Sequence, residues 1–203
     1  MAKYHIIVAD PPYSFNDKLQ FSEVKRSAAD NYDVMTNKDI LDLPVEKIAE
    51  NNAVLALWVP SSLLQLGLDI MKRWGFKQTQ THIWVKTKKN VEGLTLDNSL
   101  AFGMGRLFRQ THELCLLGTR GSPYKNLKNK SKRSVYFAPN LKHSQKPETL
   151  QAEFEAMFPG KKIKKCEIFA RRIRPGWDCW GNQCEGTLGE DIRDTLSRII
   201  SKK

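Results

Sequence analysis

The stretch "HIIVADPPYSF" (5–15) runs from aliphatic residues straight into an acid, two prolines and an aromatic ring. An aromatic exocyclic amine, such as that of adenine, is a poor nucleophile because its lone pair is delocalised into the ring. Two acceptors, one for each N–H, localise that pair and aim it outward. Asp10 offers a carboxylate oxygen and Pro11 a backbone carbonyl, and the prolines hold φ at about −65°, which keeps the carbonyl aimed. Tyr13 offers a flat face on which a base can stack, worth about 1–3 kcal/mol. The competing reading is a plain strand-ending turn, since two prolines block further pairing. These four residues do not separate the two readings, and the rest of the reaction has to be found elsewhere in the chain.

The elements that must position this corner alternate in type. "YHIIVA" and "AVLALWV" (53–59) read as buried strands. Between them, Thr36 and Asp39 have capping-box spacing, and Pro44 splits the segment into two short helices. "SSLLQLGLDIMKRWGF" carries Leu63, Leu64, Leu66, Ile70 and Trp74 at helical spacing, with Gly75 placed to end the helix. "QTQTHIWVK", "HELCLLGT" and 135–137 follow as strands, then the helix "PETLQAEFEAMF" with Pro147 in its first turn. "KKCEIFA" closes the core, with "WDCWG" as a short further strand. Such alternation predicts an α/β sheet, mostly parallel, whose ligands gather at the C-terminal strand ends, where Asp10 sits. Residues 14–34 and 86–111 read as loops, and the second, carrying Gly93, Gly103 and Gly105, as a lid. "AFGMG" mimics a glycine-rich cofactor loop but lacks the preceding strand. Residues 187–203 form an amphipathic helical tail that reads as an appendage to a 1–186 domain.

The totals set bounds. The chain has 203 residues, 40% of them hydrophobic, with net charge +11. No apolar run approaches the roughly 20 residues of a membrane span, and the N-terminus has no signal-peptide pattern. The expected location is therefore the cytoplasm, away from membranes. Cys115, Cys166, Cys179 and Cys184 are too widely spaced for a zinc site, so free thiols and no metal are expected. The positive charge favours a polyanionic partner.

Further matches point to a family. Asp10-Pro11-Pro12-Tyr13 resembles the D/N-P-P-Y/F/W motif of S-adenosylmethionine-dependent amino-methyltransferases. "YDVMTNKDI", "LALWV", "HIWVKT", "HELCLLGTRG", "HSQKP", "FPGKKIKKCEIFARR" and "RPGWDCWGNQ" resemble, in order, the adenine methyltransferases related to the seventy-kilodalton catalytic subunit of the messenger-RNA methylation complex. The bacterial and phage branch is the most similar in flavour, and the resemblance spans about residues 4–184. It implies a Rossmann-like methyltransferase fold, permuted so that the D-P-P-Y half precedes the cofactor strand, with S-adenosyl-L-methionine as cofactor. It also implies that Phe169 touches the cofactor's adenine and that Asn182 and Gln183 hydrogen-bond its ribose. His112, His143, Ser144 and Lys146 would hold its methionine end, and Asp10 lies where cofactor and base meet. Asn182 and Gln183 also read as an ordinary turn, Lys146 as a solvated helix-start lysine, and Glu167 as structural.

The reaction implied is methyl transfer from S-adenosylmethionine to the exocyclic amine of adenine in nucleic acid, with DNA preferred to RNA. Asp10, Pro11, Pro12 and Tyr13 would be the catalytic corner. The target base must be single-stranded or extruded to reach it. "YKNLKNKSKR" supplies Tyr124 for stacking and Lys125, Lys128, Lys130, Lys132 and Arg133 for phosphates; "ARRIR" (170–174) is a second candidate, or a brace for the cofactor loop. The rivals are RNA adenosine methylation, protein-glutamine methylation, which that class carries out with an asparagine before the prolines, and a catalytically inactive nucleic-acid-binding subunit. The recognition sequence and oligomeric state are not encoded in any motif.

Overall fold

The structure is a computed structural model and describes residues 3–14, 35–89, 99–103, 105, 107–141 and 145–202. Its centre is β1 (Tyr4–Ala9), whose aliphatic residues are buried on both faces, as a central parallel strand requires. Thr36 caps α1 (Asn37–Leu41) by accepting the Asp39 N–H at 3.1 Å. Pro44 separates it from α2 (Val45–Ile48). β2 (Ala49–Val59) leads through a short 3-10 turn to α3 (Leu64–Arg73). That helix ends as its sequence predicts: Gly75 takes φ +78°, Phe76 N–H reaches the Met71 carbonyl and Gly75 N–H the Lys72 carbonyl.

β3 (Lys77–Thr87) and β4 (His112–Arg120) pair antiparallel. Then come β5 (Val135–Pro139), α4 (Thr149–Met157), β6 (Lys165–Ile168), β7 (Asp178–Trp180) and α5 (Ile192–Ser201). The sheet order is β5-β3-β4-β2-β1-β6-β7, and β4 alone runs against the other six. This mixed α/β sheet is a Rossmann-like methyltransferase fold. Strand alternation divides the core in two. Ile7, Ala9, Leu55 and Leu57 pack with Ile40, Ile48, Ile70 and Leu196 on one face. Ile6, Val8, Ala56 and Trp58 pack with Leu150, Phe154 and Phe158 on the other.

Two readings of the sequence change here. The 187–203 segment contains α5 and is not an appendage: Ile192 and Leu196 are 5% and 0% exposed within the first core cluster. The described part of the 86–111 segment is a hairpin extension, with Thr87 bridged to Leu100 and Gly103 exchanging two hydrogen bonds with Gln110. Most of 14–34 lies outside the described residues.

Candidate active site

β1 and β6 are neighbours, yet the chain winds outward from them in opposite directions, to β2 and to β7. Connections on the two sides therefore diverge, the arrangement at which open α/β sheets take ligands outside the C-terminal strand ends. The strand register lines up what stands there. Ala9 pairs with Leu57 and Ile168, so Asp10 falls beside Trp58 on one side and Phe169 on the other. Ile168 pairs with Trp180, which brings Gly181 beside Phe169. Trp58 pairs with Cys115, two residues beyond Glu113.

At the corner itself, Tyr13 N–H donates to the Pro11 carbonyl at 2.9 Å, closing a three-residue turn over Pro12. That uses one lone pair of the carbonyl and leaves the second for a ligand. The Pro12 carbonyl accepts the Met35 N–H at 3.1 Å, tying the corner to the segment before α1. Tyr13 does not stand as the open stacking face expected from its sequence context. It is 4% exposed, its hydroxyl donates to the Trp58 carbonyl at 2.9 Å, and burial pushes its phenol well above the usual value. The ring is the floor of the corner.

Lys146 reaches back from the start of α4 and contacts both Asp10 carboxylate oxygens, at 2.9 and 3.1 Å. The same ammonium lies 3.1 Å from Glu113 Oε2, while Lys86 takes Glu113 Oε1 at 2.8 Å. Trp58 lies beneath, with its ring centroid 5.7 Å from Lys146 Nζ. Burial works against the Lys146 charge, but the Asp10 and Glu113 carboxylates outweigh it and hold the ammonium above its ordinary pKa. Burial likewise works against ionised Glu113, and Lys146 and Lys86 outweigh it, so its carboxyl is held below the usual range. The result is an alternating chain of charges, Asp10, Lys146, Glu113, Lys86, on one rim.

Sequence reasoning singled out Lys146 but not Glu113, Lys86 or Trp58. The available signal was strand parity. In β4, Glu113 and Cys115 share the α4 face with Asp10, whereas His112 at the alternate position belongs to the other face. The Gln110 side chain is bonded to the His112 carbonyl at 3.1 Å. The side chain that joins Lys146 is Glu113, one residue along from the expected His112. His143 and Ser144 lie outside the described residues.

The β6 side shows backbone committed to an unusual course. Phe169 has φ +65°, the one positive φ among described non-glycine residues, and such strain in a bulky residue clusters at functional sites. Ala170 N–H bonds the Trp180 carbonyl at 2.9 Å, drawing the two strand ends together. A Cβ at Gly181 would stand 2.2 Å from the Ala170 oxygen, so glycine is required. The Thr187 hydroxyl both receives from Gly181 N–H and donates to its carbonyl, each at 3.0 Å. This holds the loop so that Asn182 and Gln183 face outward, exposed. Glu167, one strand position before, is half-buried and takes the Gln151 amide at 2.9 Å; burial raises its carboxyl, a structural arrangement.

"ARRIR" is a brace in this structure. Arg174 donates to Glu148 at 2.7 Å and to Glu155 at 2.8 and 3.0 Å, and Arg172 pairs with Glu148, fastening the loop after β6 to α4. Tyr124 and the cations from Lys125 to Arg133 are exposed but do not line the corner. They leave the far end of β4 and reach β5, four strands from β1, about 19 Å at ~4.8 Å per strand.

The row of groups suits S-adenosylmethionine in its donor chemistry. A carboxylate and an ammonium can pair with an amino-acid end, an aromatic ring can stack on a purine, and two amides can hydrogen-bond a ribose diol. The fold is of the Rossmann-like methyltransferase type. The chain belongs to the MT-A70 family, whose model matches residues 4–183. MT-A70 methyltransferases take their methyl group from S-adenosylmethionine. The chain is 29% identical over 189 residues to the N(6)-adenosine-methyltransferase MT-A70-like protein of Drosophila melanogaster, covering 92% of this chain and 28% of the relative. It is 27% identical over 191 residues to the human N(6)-adenosine-methyltransferase catalytic subunit METTL3, covering 92% and 29%. It is also 30% identical over 121 residues to the non-catalytic subunit MTB of Arabidopsis thaliana, covering 59% and 14%. The chain thus spans little more than a quarter of the length of the catalytic relatives.

Proposed function

We propose that this protein transfers a methyl group from S-adenosylmethionine to the exocyclic amine of adenine in nucleic acid. The observation that carries the reading is the corner itself. A carboxylate and a carbonyl with a spare lone pair stand on one turn, directly across the sheet from the strained Phe169. When bound, the cofactor supplies an electrophilic methyl group. The residues of this chain do the positioning, which can account for most of such a rate. Asp10 accepts one amine N–H and the Pro11 carbonyl the other, directing the nitrogen lone pair outward. Lys146 lies between two carboxylates and can lean toward Glu113, freeing an Asp10 oxygen for the amine. The N–C bond would form as the donor's S–C bond breaks, leaving a neutral thioether, and that Asp10 oxygen would take the surplus proton from the nitrogen.

We further propose that the cofactor lies along the Asp10–Phe169–Gly181 row with Asn182 and Gln183 on its ribose, and that the D-P-P-Y half preceding β6 is a permuted methyltransferase order. Residues 1–186 form the catalytic unit and 187–203 a segment whose α5 braces it. The substrate expected from the sequence is DNA, and the word adenosine in the relatives' names favours RNA. Similarity to a non-catalytic subunit is the specific ground for the inactive reading; Asp10, Asn182 and Gln183, all present here, argue against it. Incubation with tritiated cofactor and unmethylated DNA or RNA of matched sequence, followed by nucleoside analysis, tests the reaction and its polymer. Labelled N6-methyladenine supports the proposal, and its sugar identifies the polymer. Label on protein alone, or none, overturns it.

A further inference from the structure

Two lysine-rich runs, 124–133 and 160–164, carry eight cations and no acid. They are far apart in sequence but meet in space. Lys128 N–H bonds the Met157 carbonyl at 2.8 Å, at the last residue of α4, and Asn129 N–H shares it at 3.3 Å. Three residues later the second run begins, with Lys161, Lys162 and Lys164. Helix α4 is nine residues long, so this junction lies about 13 Å below the Lys146 end of the helix. Lys164 accepts the His5 N–H on its carbonyl, level with the foot of β1, and five residues of strand, about 17 Å, separate that level from Asp10.

Among the described residues the charges in this band meet no carboxylate; Arg133 donates to the carbonyl of Ser131, two residues before it, at 3.2 Å. Elsewhere in the molecule Arg172, Arg174, Arg193 and Arg198 are all paired with carboxylates. Among the described residues, none of the eight cations of the band is in an ion pair. The acids near them are already engaged: Glu155 holds Arg174 and Trp177, and Asp178 accepts the Tyr4 hydroxyl at 2.6 Å. A groove of about 810 Å³ beside Lys161 and Lys164 keeps the surface open, and Tyr124, 56% exposed, stands at the other end. Clustered like charges cost free energy that a polyanion releases, together with the polyanion's own counterions.

We infer that this band is a second nucleic-acid contact, separate from the catalytic corner, that grips phosphates at a distance from the target base. The inference rests on the proposed nucleic-acid substrate. It goes beyond that proposal in separating affinity from chemistry and in setting a length. At ~3.4 Å per base pair, 17 Å is about five base pairs, so strands extending less than that past the target cannot reach the band.

The test uses the full chain carrying Lys128→Glu, Lys161→Glu and Lys164→Glu together, with melting curves matching the wild type. Anisotropy titration with a labelled 30-mer lacking adenine reads the band without the reaction. The expected result is at least tenfold weaker binding and a salt slope shallower by about two to three, near 0.9 per lost phosphate contact on duplex DNA. In methylation assays KM should rise at least tenfold on a 30-mer and stay within twofold on a hexamer whose target adenine is central, with kcat unchanged on both. Unchanged affinity and slope, an equal KM rise on the hexamer, or equally tight binding of polyglutamate by the wild type would overturn the inference. Weakened 30-mer binding by an enzyme that methylates no nucleic acid would uphold the band and remove the proposed reaction.

Discussion

Replacing Lys146 by Met removes the central charge of the rim and keeps the chain length of the side chain. Lys146 makes two contacts to Asp10 and one to Glu113, with side chains 16%, 22% and 26% exposed. Removing one partner of a buried pair costs about 3–5 kcal/mol, because the remaining charge is left uncompensated. Partial solvent access and the surviving Lys86–Glu113 contact put this case at the low end, about 3 kcal/mol. For a domain of this size that is a fall in Tm of about 6–12 °C. The sign with pH follows from Glu113, whose folded pKa is depressed. Its stabilising contribution is full above the unfolded carboxylate pKa, roughly 4.3, and fades as pH falls through the lower folded value. In the Met variant Lys86 alone is left to oppose burial, so the depression weakens, Glu113 takes up a proton more readily and the deficit shrinks on acidification. Melting curves of both proteins at pH 7.5 and at about pH 3.5, below the unfolded carboxylate value, should show the gap in Tm narrowing at the lower pH. A gap below about 2 °C at pH 7.5, or one of equal size at both, would refute the charge-chain argument.

Three further outcomes follow from the same geometry. Gly181→Ala forces a methyl to within 2.2 Å of the Ala170 oxygen, and should cost roughly 2 kcal/mol or more in urea unfolding through forced backbone shifts. Asn182→Ala with Gln183→Ala removes exposed amides with little structural role, so stability should move by less than about 0.5 kcal/mol. Cofactor affinity by calorimetry should fall about tenfold or more, at ~1 kcal/mol per lost hydrogen bond. Leu196→Ala tests whether α5 braces the core: with Leu196 fully buried, the loss should be about 2–4 kcal/mol in urea unfolding.

The order of elements was legible because each signal was local. Thr36 with Asp39, Pro44, Gly75 and the aliphatic run before Asp10 each act within a few residues, and each produced the cap, break, end or strand that its type dictates. The rim was only half legible because it is made by register. Nothing near Glu113 in sequence announces Lys146, which lies across the α4 crossover and meets Glu113 only because β4 and β1 flank β2. Tyr13 misled for a similar reason: its ring is packed into the core and its hydroxyl is tied to the Trp58 carbonyl, a partner 45 residues away. The cationic segments were visible as charge, but their meeting at Met157 depends on where α4 ends.

The central claim is that Asp10 directs the adenine amine toward the methyl donor. Asp10→Asn keeps the shape of the corner and removes the acid, so single-turnover methylation of an adenine-containing strand by tritiated cofactor isolates its part. The account predicts a loss of about 10²–10³ in rate, the scale of removing one positioned polar group, with cofactor affinity changed by no more than about tenfold. Turnover by the Asn variant at the wild-type rate would contradict it.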